Sequence, residues 1–358
     1  MKILDKYIIK KFLGTFFFSL TLIIVIAVVF DISEKLDDFI ERKAPFRAIV
    51  FDYYFNFIPY FANLFAPLFI FISVIYFTSR MAANTEIVAI LNSGISFRRL
   101  LVPYFMAAGI LAGLAFYFNG WVIPHSNKVK LQFENTYIKN PVEFKDRNLH
   151  RQISPGVFMY MESYNNAEDI GYRFSLEKLE NRKRVWFLAS DRILWDSLEG
   201  KWRIENYFIR TVNGLQESLT GGRSLDTILP FAPTDFKRRL NIIQAMDTPA
   251  LNAFIKEEQE SGGGNVNAYL VAKFRRVAVP FSTFILMLIG VSLSSRKVRG
   301  GIGAQLGLGI TISFAYILFM QISDTFAING SIPPLIAVWT PNIVFAGIAI
   351  ALLRNAPK

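Results

Sequence analysis

Six stretches of the sequence are long and nearly free of charge, and they restrict the possible folds more than any other feature. Each has about the 20 residues that an α-helix needs to cross roughly 30 Å of hydrocarbon. Hydrophobic residues make up 53% of the chain, more than the ~45–50% of an ordinary soluble domain. We therefore predict a membrane protein with six transmembrane helices. The stretches are 12–30, 53–77, 100–123, 277–295, 302–323 and 333–353.

The positions of Lys and Arg predict the orientation, because cytoplasmic loops next to membrane spans carry an excess of both. Basic residues cluster at the N-terminus, in the 78–99 and 294–301 loops and at the C-terminus, whereas the 324–332 loop has none. We predict that both termini are cytoplasmic and that the long segment after the third span lies outside. No small-x-small cleavage site follows the first stretch, so we interpret it as a retained helix.

Between residues 124 and 270 hydropathy falls and charged residues become dense. Segments there are rich in aromatic and β-branched residues and partly alternate, which predicts short strands in a sandwich or an open barrel. A helix is predicted over 248–260. The chain thus divides into 1–123 with three spans, an all-β domain at 124–265, and 266–358 with three spans. The predicted strands are Val157–Tyr164, Tyr172–Leu179, Val185–Trp195 and Trp202–Val212.

The chemistry that the sequence lacks argues against an enzyme. The chain has no Cys and only two isolated His residues, which excludes disulfides and Cys-based metal sites and disfavours a His-based one. We find no G-x-x-x-x-G-K-[ST], G-x-S-x-G or H-E-x-x-H motif, and we expect no cofactor and no metal. The net charge is +11, but the basic residues cluster beside the spans rather than in one patch. Nucleic acid is therefore not an expected partner.

The predicted cytoplasmic segment 79–93 is amphipathic. Ser79 is a plausible N-cap, and Gly94 suits a left-handed helix end. A helix this polar lies on the membrane surface or docks on a partner. Because charges such as Asp31 and Asp324 stand at span ends rather than at mid-membrane, the spans do not look like those of an ion-coupled carrier. A transport system of this kind needs an energy source in a separate subunit.

Four motifs in this order resemble the lipopolysaccharide export permease family, LptF/LptG, over essentially the whole chain. They are Arg80-(x)5-Glu86-Ile87-Val88-Ala89-(x)4-Gly94, Lys273-Phe274-(x)5-Pro280-Phe281, Arg296-Lys297-(x)2-Gly300-Gly301 and Pro333-Pro334-(x)4-Trp339-(x)-Pro341-Asn342. The resemblance implies a permease subunit in the bacterial inner membrane, with a periplasmic β-jellyroll domain and no nucleotide site of its own. It implies that two such permeases face each other on a dimeric cytoplasmic ABC ATPase. Lipopolysaccharide then passes to a periplasmic bridge protein (LptC/LptA-like).

The same resemblance assigns roles to residues. Glu86, with Arg80 and Gly94, belongs to the ATPase-coupling segment by similarity; the alternative is a solvated surface carboxylate. Basic residues near the outer headgroup level bind lipid phosphates, or alternatively extend to the interface as such residues commonly do. Phe16, Phe17 and Phe30 line an acyl-chain cavity or simply face lipid. Independently of the resemblance, the position of Lys35 between Glu34 and Asp38 predicts a local charge ladder. The headgroup candidates are Arg42, Lys43, Arg47, Lys273, Arg275 and Arg276.

Three other functions stay open at this point. One is a permease for lipoprotein or another amphiphile, although such permeases typically have fewer spans. Another is a membrane-anchored periplasmic interaction module, which needs one span rather than six and has no use for a docking helix at 79–93. The third is a lipid-processing enzyme, which the missing catalytic motifs disfavour.

Overall fold

The computed structural model describes residues 2–138, 146–165, 168–180, 183–214, 216–233, 243–260, 266–295 and 301–354. The quoted motif residues Arg296, Lys297 and Gly300 lie outside this part of the chain. The described structure separates into two compact units. A helical unit contains residues 1–138, 244–248 and 267–358, and a second unit contains residues 139–243 and 249–266.

The helical unit contains six helices that are long and apolar enough to cross a membrane, as predicted. Together with a β-rich insertion between the third and fourth of them, they confirm the predicted fold class. The short α3 follows α2, and α5 follows the inserted sheet. The helices are α1 (Ile3–Glu41), α2 (Phe46–Ala83), α3 (Glu86–Asn92), α4 (Phe97–Tyr137), α5 (Thr248–Glu260), α6 (Val266–Ser294), α7 (Gly301–Ile328) and α8 (Pro334–Arg354).

Several helices run past their uncharged stretches. The spacing of apolar residues over 31–41 predicts that α1 continues outward, and it ends at Glu41. α4 continues to Tyr137 through a π-helical turn at Phe118–Val122. Its last turns are polar on average but bury Ile123 and Phe133, so an amphipathic face prolongs the helix beyond the apolar stretch. The predicted helix over 248–260 is confirmed by α5.

Close packing of α1, α2, α4 and α6 forms the main core of the helical unit. Phe12 of α1 stacks on Phe77 of α2, with ring centroids 5.8 Å apart, and Phe77 stacks on Tyr104 of α4 at 5.2 Å. α6 approaches α2 at Gly290, where an added Cβ would lie 2.9 Å from Val74 Cγ1. Such close approach between helices uses small residues because lipid provides no hydrophobic drive for association.

Polar side chains also join the spans. Asn63 of α2 and Asn119 of α4 exchange two amide hydrogen bonds of 3.0 and 3.1 Å. The Thr78 and Tyr104 hydroxyls lie 2.9 Å apart, and the Tyr316 hydroxyl donates to Asn342 Oδ1 at 2.9 Å. In hydrocarbon a polar group without a partner is costly, so these pairs fix which helix faces meet.

The described strands form one antiparallel sheet in which neighbours in sequence are neighbours in space. Its four central strands confirm the predicted ones. The two edge strands, β1 and β6, were missed, since they carry many charged residues and glycines. The strands are β1 (Asp146–Ser154), β2 (Val157–Asn165), β3 (Ile170–Glu180), β4 (Lys183–Asp196), β5 (Lys201–Asn213) and β6 (Gln216–Thr227).

One face of the sheet carries a packed core. Met161, Phe174, Ile193 and Trp202 are each no more than 1% exposed. The Trp202 indole donates to the Phe231 carbonyl at 2.8 Å, which ties the chain after β6 over this face. The other face is solvated and bears cross-strand ion pairs such as Arg210–Glu217 at 2.6 Å.

Candidate functional site

Two regions of the helical unit contain the residues predicted to have a function. The terminal side is the end of the helical unit at which α1 begins and α3 lies, and the domain side is the opposite end of α1, where the α1–α2 loop lies.

On the terminal side, the predicted helix 79–93 is divided in two, which corrects the sequence interpretation. Ser79 is not an N-cap: α2 continues through it to Ala83, and Ser79 is buried inside that helix. Thr85, with a left-handed φ of 63°, breaks the helix before α3 begins at Glu86. Gly94, with φ of 85°, follows α3 and provides the predicted left-handed end.

Apolar side chains anchor α3 to the helical core, with the partly buried Ile90 and Leu91 packed beside the buried Ile87. Ile87 is 1% exposed and packs in the same cluster as Ile8 and Phe12 of α1 and Met81 of α2. Val88 is 53% exposed, whereas Met81 is 3% exposed, so the two side chains do not share a face. α3 therefore presents Val88, Ala89 and Asn92 to the surroundings, and Arg80 is exposed just before it.

Glu86 is half-buried, and both of its carboxylate oxygens accept hydrogen bonds. The Tyr7 hydroxyl donates to Oε2 at 3.0 Å, and Asn84 Nδ2 donates to Oε1 at 3.3 Å. A carboxylate has about four lone-pair positions, so Glu86 retains acceptor capacity for a further cationic group. Sequence reasoning missed Tyr7 because 79 residues separate the two partners.

A second contact joins α1 to this region. Arg99, in the first turn of α4, donates from Nη1 and Nη2 to the two oxygens of Asp5 at 2.7 and 2.8 Å. Asp5 is 4% exposed and also accepts from the Lys2 backbone amide at 2.9 Å. Bidentate Arg–carboxylate pairs have fixed geometry, so the first turn of α1 is held firmly at the start of α4.

On the domain side, Arg42, Lys43 and Arg47 lie together around the short loop between α1 and α2. All three are exposed, and Arg42 Nη1 donates to the Thr136 carbonyl at 3.2 Å. Arg47 lines a pocket of about 420 Å³ with Pro45, Ala48, Phe51 and Asp52. This arrangement gathers three exposed basic side chains in one loop, with apolar side chains next to Arg47.

The three basic residues of α6 have different surroundings. Lys273 lies 5.9 Å from the ring centroid of Phe274. Arg275 Nε lies 2.5 Å from Asp324 Oδ2 of α7. Arg276 donates to the Met246 carbonyl at 2.6 Å and to Thr248 Oγ1 at 3.1 Å. Two of the three are therefore already engaged by groups of this chain.

A polar cluster on the domain side was only partly foreseen. Lys35 pairs with Asp31 at 2.7 Å, four residues earlier on the same helix face, and not with Glu34 and Asp38 of the predicted ladder. The Tyr53 hydroxyl also contacts Lys35, and the Tyr54 hydroxyl donates to Asp31 Oδ2 at 3.2 Å. Both tyrosines belong to a π-helical turn, Ile49–Tyr54, which brings two consecutive hydroxyls to one carboxylate.

The three phenylalanines expected to line a cavity differ in environment. Phe16 is 4% exposed and belongs to the core, whereas Phe17 is 47% and Phe30 72% exposed. Within the described ranges, no three His, Cys, Asp or Glu side chains are close enough to hold a metal ion.

Comparison with protein families gives one match. The model for the lipopolysaccharide export system permease LptF/LptG matches residues 6–355, which covers the helical unit and the inserted sheet alike. A search of curated proteins found no match.

Proposed function

The chain belongs to the lipopolysaccharide export system permease LptF/LptG family, and from that premise we propose how it couples energy to export. As a family member it is a multi-pass membrane permease for lipopolysaccharide export, a transporter subunit rather than an enzyme. In our proposal it extracts lipopolysaccharide from the bacterial inner membrane with energy from a separate cytoplasmic ABC ATPase dimer. It then passes the lipid to a periplasmic bridge protein.

The orientation in this proposal rests on charge. The terminal side carries Lys2, Lys6, Lys10 and Lys11, as well as Arg80 and Arg98, so it is the cytoplasmic side by the rule that basic residues stay inside. The inserted sheet is then periplasmic.

The observation that carries the proposal is the presentation of α3. It is a single short helix on the terminal side, anchored by Ile87 and bounded by left-handed backbone at Thr85 and Gly94. Its exposed Val88 and its half-buried Glu86 suit a groove on a partner that offers apolar contact and a cation. We assign this role to α3 together with Arg80, Glu86 and Gly94.

The basic groups on the domain side support recognition of lipid phosphates. Arg42, Lys43 and Arg47 are exposed and near one another in sequence, and Lys273 is half-buried on α6. Arginine binds phosphate through two parallel hydrogen bonds, and lysine adds a point charge. In the proposal Arg275 and Arg276 join this site when their present partners are exchanged for lipid.

The distribution of burial supports a second permease of the same family as partner. In the most apolar 18-residue stretch of α1, and in that of α7, 17% of the residues are buried, whereas the corresponding stretch of α6 has 61% buried. α1 and α7 therefore have the most unoccupied surface for another helix or for acyl chains, and the exposed Phe17 and Phe30 lie on α1.

The test is a pull-down in mild detergent of the tagged chain, followed by mass spectrometry of the bound proteins. Wild type, Glu86→Arg and the control Glu34→Arg are compared at equal levels of membrane insertion. Glu34 is exposed on the domain side of α1, so its reversal changes charge equally without touching α3.

A P-loop ATPase that co-purifies with wild type and the control, but not with Glu86→Arg, would support the proposal. An ATPase that binds all three equally would remove Glu86 from the coupling role. No ATPase with any of them would move the energy source elsewhere.

A further inference from the structure

The N-terminal turns of α1 contact the coupling segment through a hydrogen bond that packing does not require. Tyr7 is 38% exposed, so burial does not fix its side chain. Its ring lies within 5.7 Å of Lys11 Nζ, and its hydroxyl is directed at Glu86 Oε2, 3.0 Å away. The exposed Tyr7 hydroxyl could bind water, but it donates directly to the Glu86 carboxylate. This hydrogen bond restricts the orientation of the Glu86 side chain.

The contact is part of a larger connection between α1 and α3. Asp5 is held by both terminal nitrogens of Arg99, and Ile8 and Phe12 pack in one cluster with Ile87. Positions 5, 8 and 12 lie on the buried face of α1, and Tyr7 reaches α3 from the neighbouring face. α3 is thereby joined to the first turns of α1 in two ways, by the Tyr7–Glu86 hydrogen bond and by apolar packing around Ile87.

We propose that Tyr7 is a positioning residue for the Glu86 carboxylate, which it orients for a cationic group of the ATPase and ties to α1. This inference rests on the proposed ATPase coupling. Tyr7 and Asn84 each occupy one lone pair of Glu86, so the remaining acceptor positions have a fixed direction. When α3 moves with the ATPase, the Tyr7 contact passes that movement to α1.

The test compares Tyr7→Phe with wild type, using the P-loop ATPase that co-purifies with the wild-type chain and lipopolysaccharide as the transported lipid. Phenylalanine keeps the ring and removes only the donor. A hydrogen bond to a charged group contributes enough for an expected loss of about tenfold in ATPase affinity. The lipid released per ATP hydrolysed should also fall. The matched control is Tyr76→Phe, because Tyr76 is similarly exposed at 40% and its hydroxyl has no partner among the described residues.

A second variant separates positioning from simple packing. Glu86→Asp keeps the charge but shortens the side chain by one methylene, which takes the carboxylate out of reach of Tyr7. If Tyr7 acts through Glu86, the Tyr7→Phe, Glu86→Asp double variant loses no more affinity than Glu86→Asp alone. Independent losses that add, or a lower unfolding temperature that accounts for the defect, would assign Tyr7 a structural role only.

The outcome also distinguishes this inference from the proposed function. If Glu86→Arg releases the ATPase but Tyr7→Phe binds and exports as wild type does, the coupling segment stands and the positioning role fails. If no ATPase binds the wild-type chain, both fail together.

Discussion

Arg275 of α6 and Asp324 of α7 form an ion pair, with Nε 2.5 Å from Oδ2, inside a helix bundle that spans the membrane. Asp324 is 2% exposed. The two opposite charges are in contact, so the guanidinium compensates a carboxylate that the surrounding helices keep from solvent.

Asp324→Asn should destabilise the helical unit. Breaking a buried pair usually costs about 3–5 kcal/mol, and because the Arg275 side chain is 34% exposed we expect roughly 1–3 kcal/mol. Replacing both partners, Arg275→Met with Asp324→Leu, should recover most of the loss because no charge is left unpaired. SDS titration of the protein in detergent measures both. A double replacement that is less stable than the single one would contradict this account.

The basic residues of the domain side should separate into two classes when each is changed to Gln. Arg47→Gln should weaken binding of lipopolysaccharide several-fold without changing the unfolding temperature, because Arg47 is exposed beside an open pocket. Arg276→Gln should lower the unfolding temperature, since its guanidinium donates to Met246 and Thr248. Lipid binding in nanodiscs and thermal unfolding are measured on both variants. The reverse pattern would exclude Arg47 from the headgroup site.

Asn63 and Asn119 should behave as a coupled pair. Asn63→Leu leaves the Asn119 amide without its partner and should cost about 1–2 kcal/mol. The double variant Asn63→Leu, Asn119→Leu should be more stable than either single variant. A double-mutant cycle in detergent gives the coupling energy, and additive losses would show that the two amides do not depend on each other.

Glycines of the spans should differ according to what surrounds them. Gly290→Ala should destabilise by about 1–3 kcal/mol, because the new Cβ meets Val74 Cγ1 at 2.9 Å and the core must be overpacked. Gly113→Ala is the control, since no atom lies within 4 Å of its added Cβ; it should be neutral or slightly stabilising. Equal effects at the two positions would mean that α2 and α6 are less tightly packed than described.

Most of the architecture follows from local properties of the sequence. The uncharged stretches predict six spans because hydropathy is additive along a helix. The central strands follow from alternation and β-branched residues. β1 and β6 are not predicted in this way, because an edge strand such as Gln216–Thr227 is mostly exposed and needs no apolar periodicity. The break at Thr85 also escapes it, because a left-handed threonine has no local signal.

The candidate site divides in the same way. The resemblance to the permease family predicts the role of Glu86 and its segment, and the basic residues near the headgroup level are predicted from charge type and position relative to the spans, which are local features. Only the tertiary structure decided that Tyr7 holds Glu86, that Asp5 holds Arg99 and that Asp324 occupies Arg275. These partners are far apart along the chain. A hydrogen bond or ion pair acts over a few ångströms, so the packing of helices determines which groups meet.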